Sequence, residues 1–164
     1  MTPVKRRETG QGGRKTRNVG KGRPAPISWA TARCEATRTG WLFVMPDLLS
    51  VNRIWRRGKS RSTGKAVTYK ADKAKEADTA AALKFGRIVA LAGELCVTVR
   101  WVRERKTGDL DNKAKAVLDL LRGIAYADDK QVARIEMVRV DGGPDAPGLY
   151  VTVEPIAPEI ARAA

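Results

Sequence analysis

The sequence predicts an α+β fold: a two-layer domain with a four-stranded mixed sheet and two helices, preceded by a basic N-terminal tail. Three observations predict it. Two stretches repeat apolar residues at helical spacing, several short runs alternate as strands do, and the two kinds interleave as strand, helix, strand, helix, strand, strand. At 164 residues the chain is long enough for one such domain with a real core, and too short for two of ordinary size plus the tail.

Residues 1–38 are rich in Lys, Arg, Gly and Thr, with clusters at Lys5-Arg6-Arg7, Arg14-Lys15-Thr16-Arg17 and Lys21-Gly22-Arg23. Such a stretch buries too little surface to offset its ordering entropy, so it is expected to be a disordered tail adding phosphate contacts blind to sequence. A solvated leader without a role, or a start codon placed ahead of the true domain, is the competing account. Ile27-Ser28-Trp29 is an apolar spot there that composition does not explain.

The domain proper is expected over 39–158. Trp41-Leu42-Phe43-Val44-Met45-Pro46 reads as the first strand, bulky and closed by proline. A loop over 47–65 follows, carrying Asn52, Arg53, Trp55, Arg56, Arg57, Lys59 and Arg61. Basic side chains around one aromatic suit a phosphate backbone with a base or sugar resting on the ring. Equally, Trp55 packs into the core and the arginines cover a solvated loop.

Residues 70–91 place Ala74, Ala77, Ala81, Phe85 and Ile88 on a helical stripe, and Gly93 ends this longer helix. From 95 to 103, Leu95, Val97, Val99 and Trp101 alternate with Thr98 and Arg100, which is a half-buried strand. Arg103, Arg105 and Lys106 lead into the loop that delivers Asp109. Ala114, Val117, Leu118 and Leu121 then mark one face of the second helix, with Asp111 or Asn112 as its N-cap and Gly123 as its stop. Residues 131–140 form another alternating strand with Ala133, Ile135 and Met137 on one side. Gly142-Gly143-Pro144-Asp145 is a turn, and Leu149, Val151 and Val153 mark a last strand expected to pair with its predecessor as a hairpin. Residues 159–164 are expected to fray.

The formal charge of +14 points to a polyanionic partner, most simply nucleic acid, ahead of an anionic membrane surface or mere solubility. No apolar run approaches a membrane span and no signal-peptide core is present, so the expected location is the cytoplasm. The chain has no histidine and only Cys34 and Cys96. That leaves too few soft ligands for zinc and rules out Ser-His and Cys-His nucleophiles. A general base must then be a carboxylate, a lysine, a tyrosine or a metal-activated water. Cys96 reads as a small core residue on a strand.

Acidic residues gather around the second helix. Asp109 and Asp111 alternate at its start, Asp128-Asp129 follows its end, and Asp111 and Lys115 are one turn apart. Loops at one edge of the sheet are expected to bring Asp109, Asp111 and Asp129 together. Converging carboxylates repel, and a hard cation bound through oxygen relieves that, so Mg²⁺ is the expected ion. The bland reading is helix capping, a turn, and a surface ion pair from Lys115 to Asp111 or Asp119.

Asp109-Leu110-Asp111-Asn112, then Lys115, Asp119, Leu121, Gly123, Tyr126, Asp128-Asp129 and Gln131-Val132, resemble the signature of the RusA family of Holliday junction resolvases. The likeness extends upstream to Pro46, Ser50, Asn52, Trp55 and Tyr69, and the long basic tail departs from it. The resemblance implies catalytic residues Asp109, Asp111, Lys115 and Asp129, with the three Asp as metal ligands. Asp119 and Asp128 are expected to support rather than bind. It further implies a Mg²⁺-dependent homodimer cutting two strands of four-way DNA to leave 5′-phosphate and 3′-hydroxyl ends, in recombination and repair, with no organic cofactor. Candidate DNA contacts are Asn52, Arg53, Trp55, Arg56, Arg57, Lys59, Arg61, Arg105 and Lys106. A Mg²⁺-dependent nuclease of forks, flaps or duplex, and a non-catalytic basic DNA-binding module, stay open.

Overall fold

A computed structural model of the chain describes residues 24–156. The expected disordered tail up to residue 23 and the expected frayed end, 159–164, lie outside the described residues. In chain order the elements are β1 (Arg33–Ala36), β2 (Trp41–Met45), α1 (Val51–Ile54), β3 (Trp55–Lys59), β4 (Ala66–Lys70), α2 (Asp72–Phe85), β5 (Leu95–Arg103), α3 (Leu110–Leu121), a 3-10 turn (Asp129–Gln131), β6 (Val132–Asp141) and β7 (Gly148–Pro155). The fold is α+β with a mixed sheet. That sheet has five strands rather than four, in the order β1-β2-β7-β5-β6, beside a separate two-stranded β3–β4 ribbon.

Alternation sets the register. Phe43, Val151 and Val99 lie in one row across the sheet, and Met45, Leu149 and Trp101 in the next. All are buried, under Ala81 and Phe85 of α2 and Val117 and Leu121 of α3. Each large apolar side chain so buried contributes roughly 1.5–3 kcal/mol, which makes this layer the rigid base for the loops around it.

Four expectations need correction. The last two strands are not a hairpin: β7 pairs with β2 and β5, while β6 lies on the far side of β5, parallel to it. Composition explains the exchange, because β7 is apolar enough for the middle of the sheet whereas Arg134, Glu136 and Arg139 suit β6 to an edge. The helix expected to run to residue 91 stops at Phe85, where Gly86 closes it with a bond from its N–H to the Ala82 carbonyl. This frees Leu91, whose N–H donates to the Ala125 carbonyl at 2.8 Å. The 47–65 loop contains α1, β3, which is the first strand of the ribbon, and the turn that leads to β4.

The fold also begins earlier than residue 39. Arg33–Ala36, which composition assigns to the tail, is the edge strand β1. Upstream of it, Ile27 donates its N–H to the Pro147 carbonyl at 2.8 Å. A side chain at Gly148 would lie 2.6 Å from Ile27 Cδ1 and 2.7 Å from the Met45 carbonyl oxygen, so the glycine makes the seat for Ile27. The Trp29 ring packs 6.1 Å from that of Phe85. The apolar spot is the domain's first anchor.

No helix among the described residues is long and apolar enough to cross a membrane.

Candidate active site

The β5–α3–β6 unit positions the acidic residues. Because β5 and β6 are parallel, α3 must return the chain from one end of the sheet to the other. Asp109 and Asp111 stand at the start of α3, and Asp129 stands in the 3-10 turn just before β6. The helix between is twelve residues long. That corresponds to roughly 18 Å. The expectation that one chain gathers all three carboxylates at one sheet edge is therefore not met. Among the described residues, no three His, Cys, Asp or Glu side chains are grouped so as to hold a metal ion.

The start of α3 is nonetheless unusual. Its N-cap is Asp109, not Asp111 or Asn112, and the Asp109 carboxylate makes no capping bond. Its one hydrogen bond among the described residues is from Asn112 Nδ2, at 3.4 Å. Asp109 and Asp111 are both exposed. Neither carboxylate makes a side-chain bond to the helix end among the described residues, although capping is where the bland reading had put them. This oxygen pair fits Mg²⁺, which commonly takes one or two carboxylates and fills its shell with water and phosphate oxygen.

Backbone geometry at Gly108 holds the pair in place. Its φ is +108°, and an added Cβ would lie 2.8 Å from Cη2 of the buried Trp101 ring. Gly108→Ala is therefore expected to lower stability by roughly 2–4 kcal/mol, combining strain and overpacking, as read from the denaturant midpoint. An unchanged midpoint would show that the turn tolerates a side chain.

Lys113 is the residue sequence reasoning missed. It is 4% exposed. Its ammonium donates to Asp47 Oδ1 at 2.6 Å and to the Leu48 carbonyl, and lies 4.7 Å from the centre of the Trp101 ring. It ties the first turn of α3 to the loop after β2. The signal was available: the buried face of α3 is Lys113, Ala116, Val117, Leu120 and Leu121, a helical stripe with a lysine at its head.

Lys115 is exposed and makes no ion pair among the described residues, with Asp111, Asp119 or any other group. Asp128 plays the expected turn role. Its carboxylate accepts from the Lys130 N–H at 2.9 Å, and the Gln131 side chain accepts from the Asp128 N–H at 3.1 Å. The Lys130 N–H, then the adjacent Asp129, hold the Asp128 carboxyl below the ordinary carboxylate range. Tyr126 is buried and donates its hydroxyl to the Leu118 carbonyl at 2.9 Å. Burial first, then Asp129 and Asp119, push its phenol above the usual value, so it stays protonated and is no base.

The basic candidates sort by element. Asn52 and Arg53 lie on α1; Trp55, Arg56, Arg57 and Lys59 on β3; Arg61 in the turn of the ribbon. All are exposed, and the ribbon pairs with no strand of the main sheet. Trp55 is 51% exposed, so the reading in which it fills the core is not met. Arg105 and Lys106 are exposed in the loop before Asp109.

An α+β scaffold that presents paired carboxylates, an unpaired lysine and a cationic arm has the parts of a DNA-cutting enzyme. A family model described as endodeoxyribonuclease RusA matches residues 50–154, from just before α1 into β7. The chain belongs to the RusA endodeoxyribonuclease family, a family of Holliday junction resolvases. No curated protein matches it.

Proposed function

We propose that the chain is a Mg²⁺-dependent, homodimeric crossover junction endodeoxyribonuclease, cutting paired strands of four-way DNA to leave 5′-phosphate and 3′-hydroxyl ends. The observation that carries the reading is the start of α3, where Asp109 and Asp111 are exposed, Asp109 makes no capping bond, and Lys115 lies one turn beyond Asp111. A divalent ion held there supplies polarisation of the phosphodiester and a lowered pKa for the attacking water. Lys115, a point charge on the same helix face as Asp111, stabilises the extra negative charge that develops on the phosphate. Arg105 and Lys106 lie just upstream, and the ribbon arginines hold the strand through its backbone.

Asp129 joins this site through the second subunit. β6 is a ten-residue edge strand whose outer side pairs with no strand among the described residues, with Ile135 41% and Val138 51% exposed. Such an edge is a template for pairing with another chain. Antiparallel pairing of two β6 strands about a two-fold axis sets the start of one beside the end of the other. The end of β6 lies next to the end of β5, at Arg103 and Asp141, from which the chain leads to Asp109. The partner's Asp129 then approaches this chain's Asp109 and Asp111.

Incubating labelled junction and labelled duplex with the protein, in Mg²⁺ or in chelator, tests the reading. Paired incision of the junction that chelator abolishes is expected. Equal cutting of duplex would make the chain a nuclease of other DNA forms, and binding without product would make it a DNA-binding module.

The residues before the fold are expected to act through charge alone. Deleting residues 1–23 removes Lys5, Arg6, Arg7, Arg14, Lys15, Arg17, Lys21 and Arg23 but leaves Ile27 and Trp29 seated. Junction cleavage at low salt should persist, with weaker binding and a shallower dependence of log K on log salt. An unchanged slope would remove the tail from the DNA interface.

A further inference from the structure

Between the β3–β4 ribbon, α2 and α3 lies a cavity of about 600 Å³ that, Lys115 apart, the cutting chemistry does not use. That size lies within the range of small-ligand sites. Leu120 contributes apolar lining and Trp55, half exposed, stands at the wall. Lys70 and Asp78 pair with each other at its wall and Asp47 pairs with Lys113, while Lys73, Glu76, Lys115, Asp119 and Arg122 also line it and are in no ion pair among the described residues.

We propose that this cavity receives one nucleobase swung out of the DNA stack beside the strand to be cut. The occupant follows from the lining. A flat aromatic at the wall offers a stacking face, which suits any base, and the unpaired cations Lys73, Lys115 and Arg122, in excess over the unpaired Glu76 and Asp119, match the phosphates on either side of it. Position supports the same occupant. Lys115 faces both the cavity and the Asp111 side of α3, and Asp111 is one helical turn away, roughly 5.4 Å. A phosphate held at Asp109 and Asp111 therefore has its neighbouring nucleotide at the cavity mouth.

The cavity also supplies a reason to prefer branched DNA. Extruding a base costs least where stacking is already broken, as at a branch point, so the pocket favours junctions over duplex without reading the junction's shape. Asp119 accepts hydrogen bonds and cannot donate when ionised. It favours a base with an exocyclic amino group over thymine, whose pairing edge has one N–H between two carbonyl oxygens. The inference rests on the nuclease reading for the location of the cut strand, and its test is kept separate from cutting.

The test is a binding cycle in chelator with full-length protein. Abasic sites are placed one at a time within three nucleotides of the branch of a four-way junction. With unsubstituted protein, one position should weaken binding by about tenfold and the others little. Trp55→Ala should bind the intact junction and that abasic junction equally, and Trp55→Phe should restore the difference. Thymine at that position should weaken binding by about threefold, and Asp119→Asn, whose amide can donate to a carbonyl oxygen, should erase that penalty. The proposal is overturned if no abasic position matters, or if Trp55→Ala weakens intact and abasic junctions in the same ratio as the unsubstituted protein. Because nothing is cut, a protein that fails to cleave in Mg²⁺ would defeat the nuclease reading while leaving this cycle interpretable.

Discussion

Asp111→Asn is expected to reduce junction cutting by about 10³-fold or more while leaving junction binding at or above its original strength. The amide has the shape of the carboxylate, and Asp111 is exposed with no side-chain hydrogen bond or ion pair among the described residues to lose, so folding should be unaffected. What changes is the charge. One anionic oxygen donor of the proposed Mg²⁺ pair disappears, and with it much of the affinity for a hard cation. The same change removes a negative charge from beside a DNA phosphate, which is why binding should hold or tighten. Cleavage of 5′-labelled junction and a mobility shift on the same preparation measure the two effects. Ordinary cutting by this variant would show that Asp111 is not part of the active site.

Much of this architecture was legible from residues with a single dominant role. Leu95, Val97, Val99 and Trp101 alternate and are all buried, so β5 could be read directly. Gly123, at φ +79°, follows the C-cap of α3 as a stop should. Elements without a distinctive period were hidden. β1 reads Arg-Cys-Glu-Ala and is recognisable only through its pairing with β2. The ribbon is almost wholly exposed, so its sequence shows no buried face. Lys113 was missed because the expected face, Ala114, Val117, Leu118 and Leu121, is rotated from the buried one, which is Lys113, Ala116, Val117, Leu120 and Leu121. The site was legible as residue types but not as geometry. Asp109 and Asp111 stand two residues apart at the start of α3 as a matter of local structure, whereas the place of Asp129 depended on whether β5 and β6 run parallel, which is a long-range pairing that no local pattern encodes.

Mixing Asp111→Asn subunits with Asp129→Asn subunits is expected to restore cutting that neither variant performs alone. If each site takes Asp109 and Asp111 from one subunit and Asp129 from the partner, a mixed dimer carries both defects in one site and neither in the other. Random exchange at equal concentrations makes half the dimers mixed, each with one sound site, so about a quarter of the original sites return. The products should be mainly single nicks, since the second site of each mixed dimer is dead. A site built within one chain gives the opposite result, because every site then contains a defect and mixing restores nothing. The topology favours the first outcome: a parallel crossover holds the two ends of α3 apart, and no adjustment of side chains spans roughly 18 Å of helix. An Ile135→Lys and Val138→Lys double variant supplies the complementary measurement. Like charges on facing edges oppose pairing. A folded monomer that binds DNA without cutting it is therefore expected by light scattering and cleavage assay, and full activity from a monomer would return Asp129 to a role outside the site.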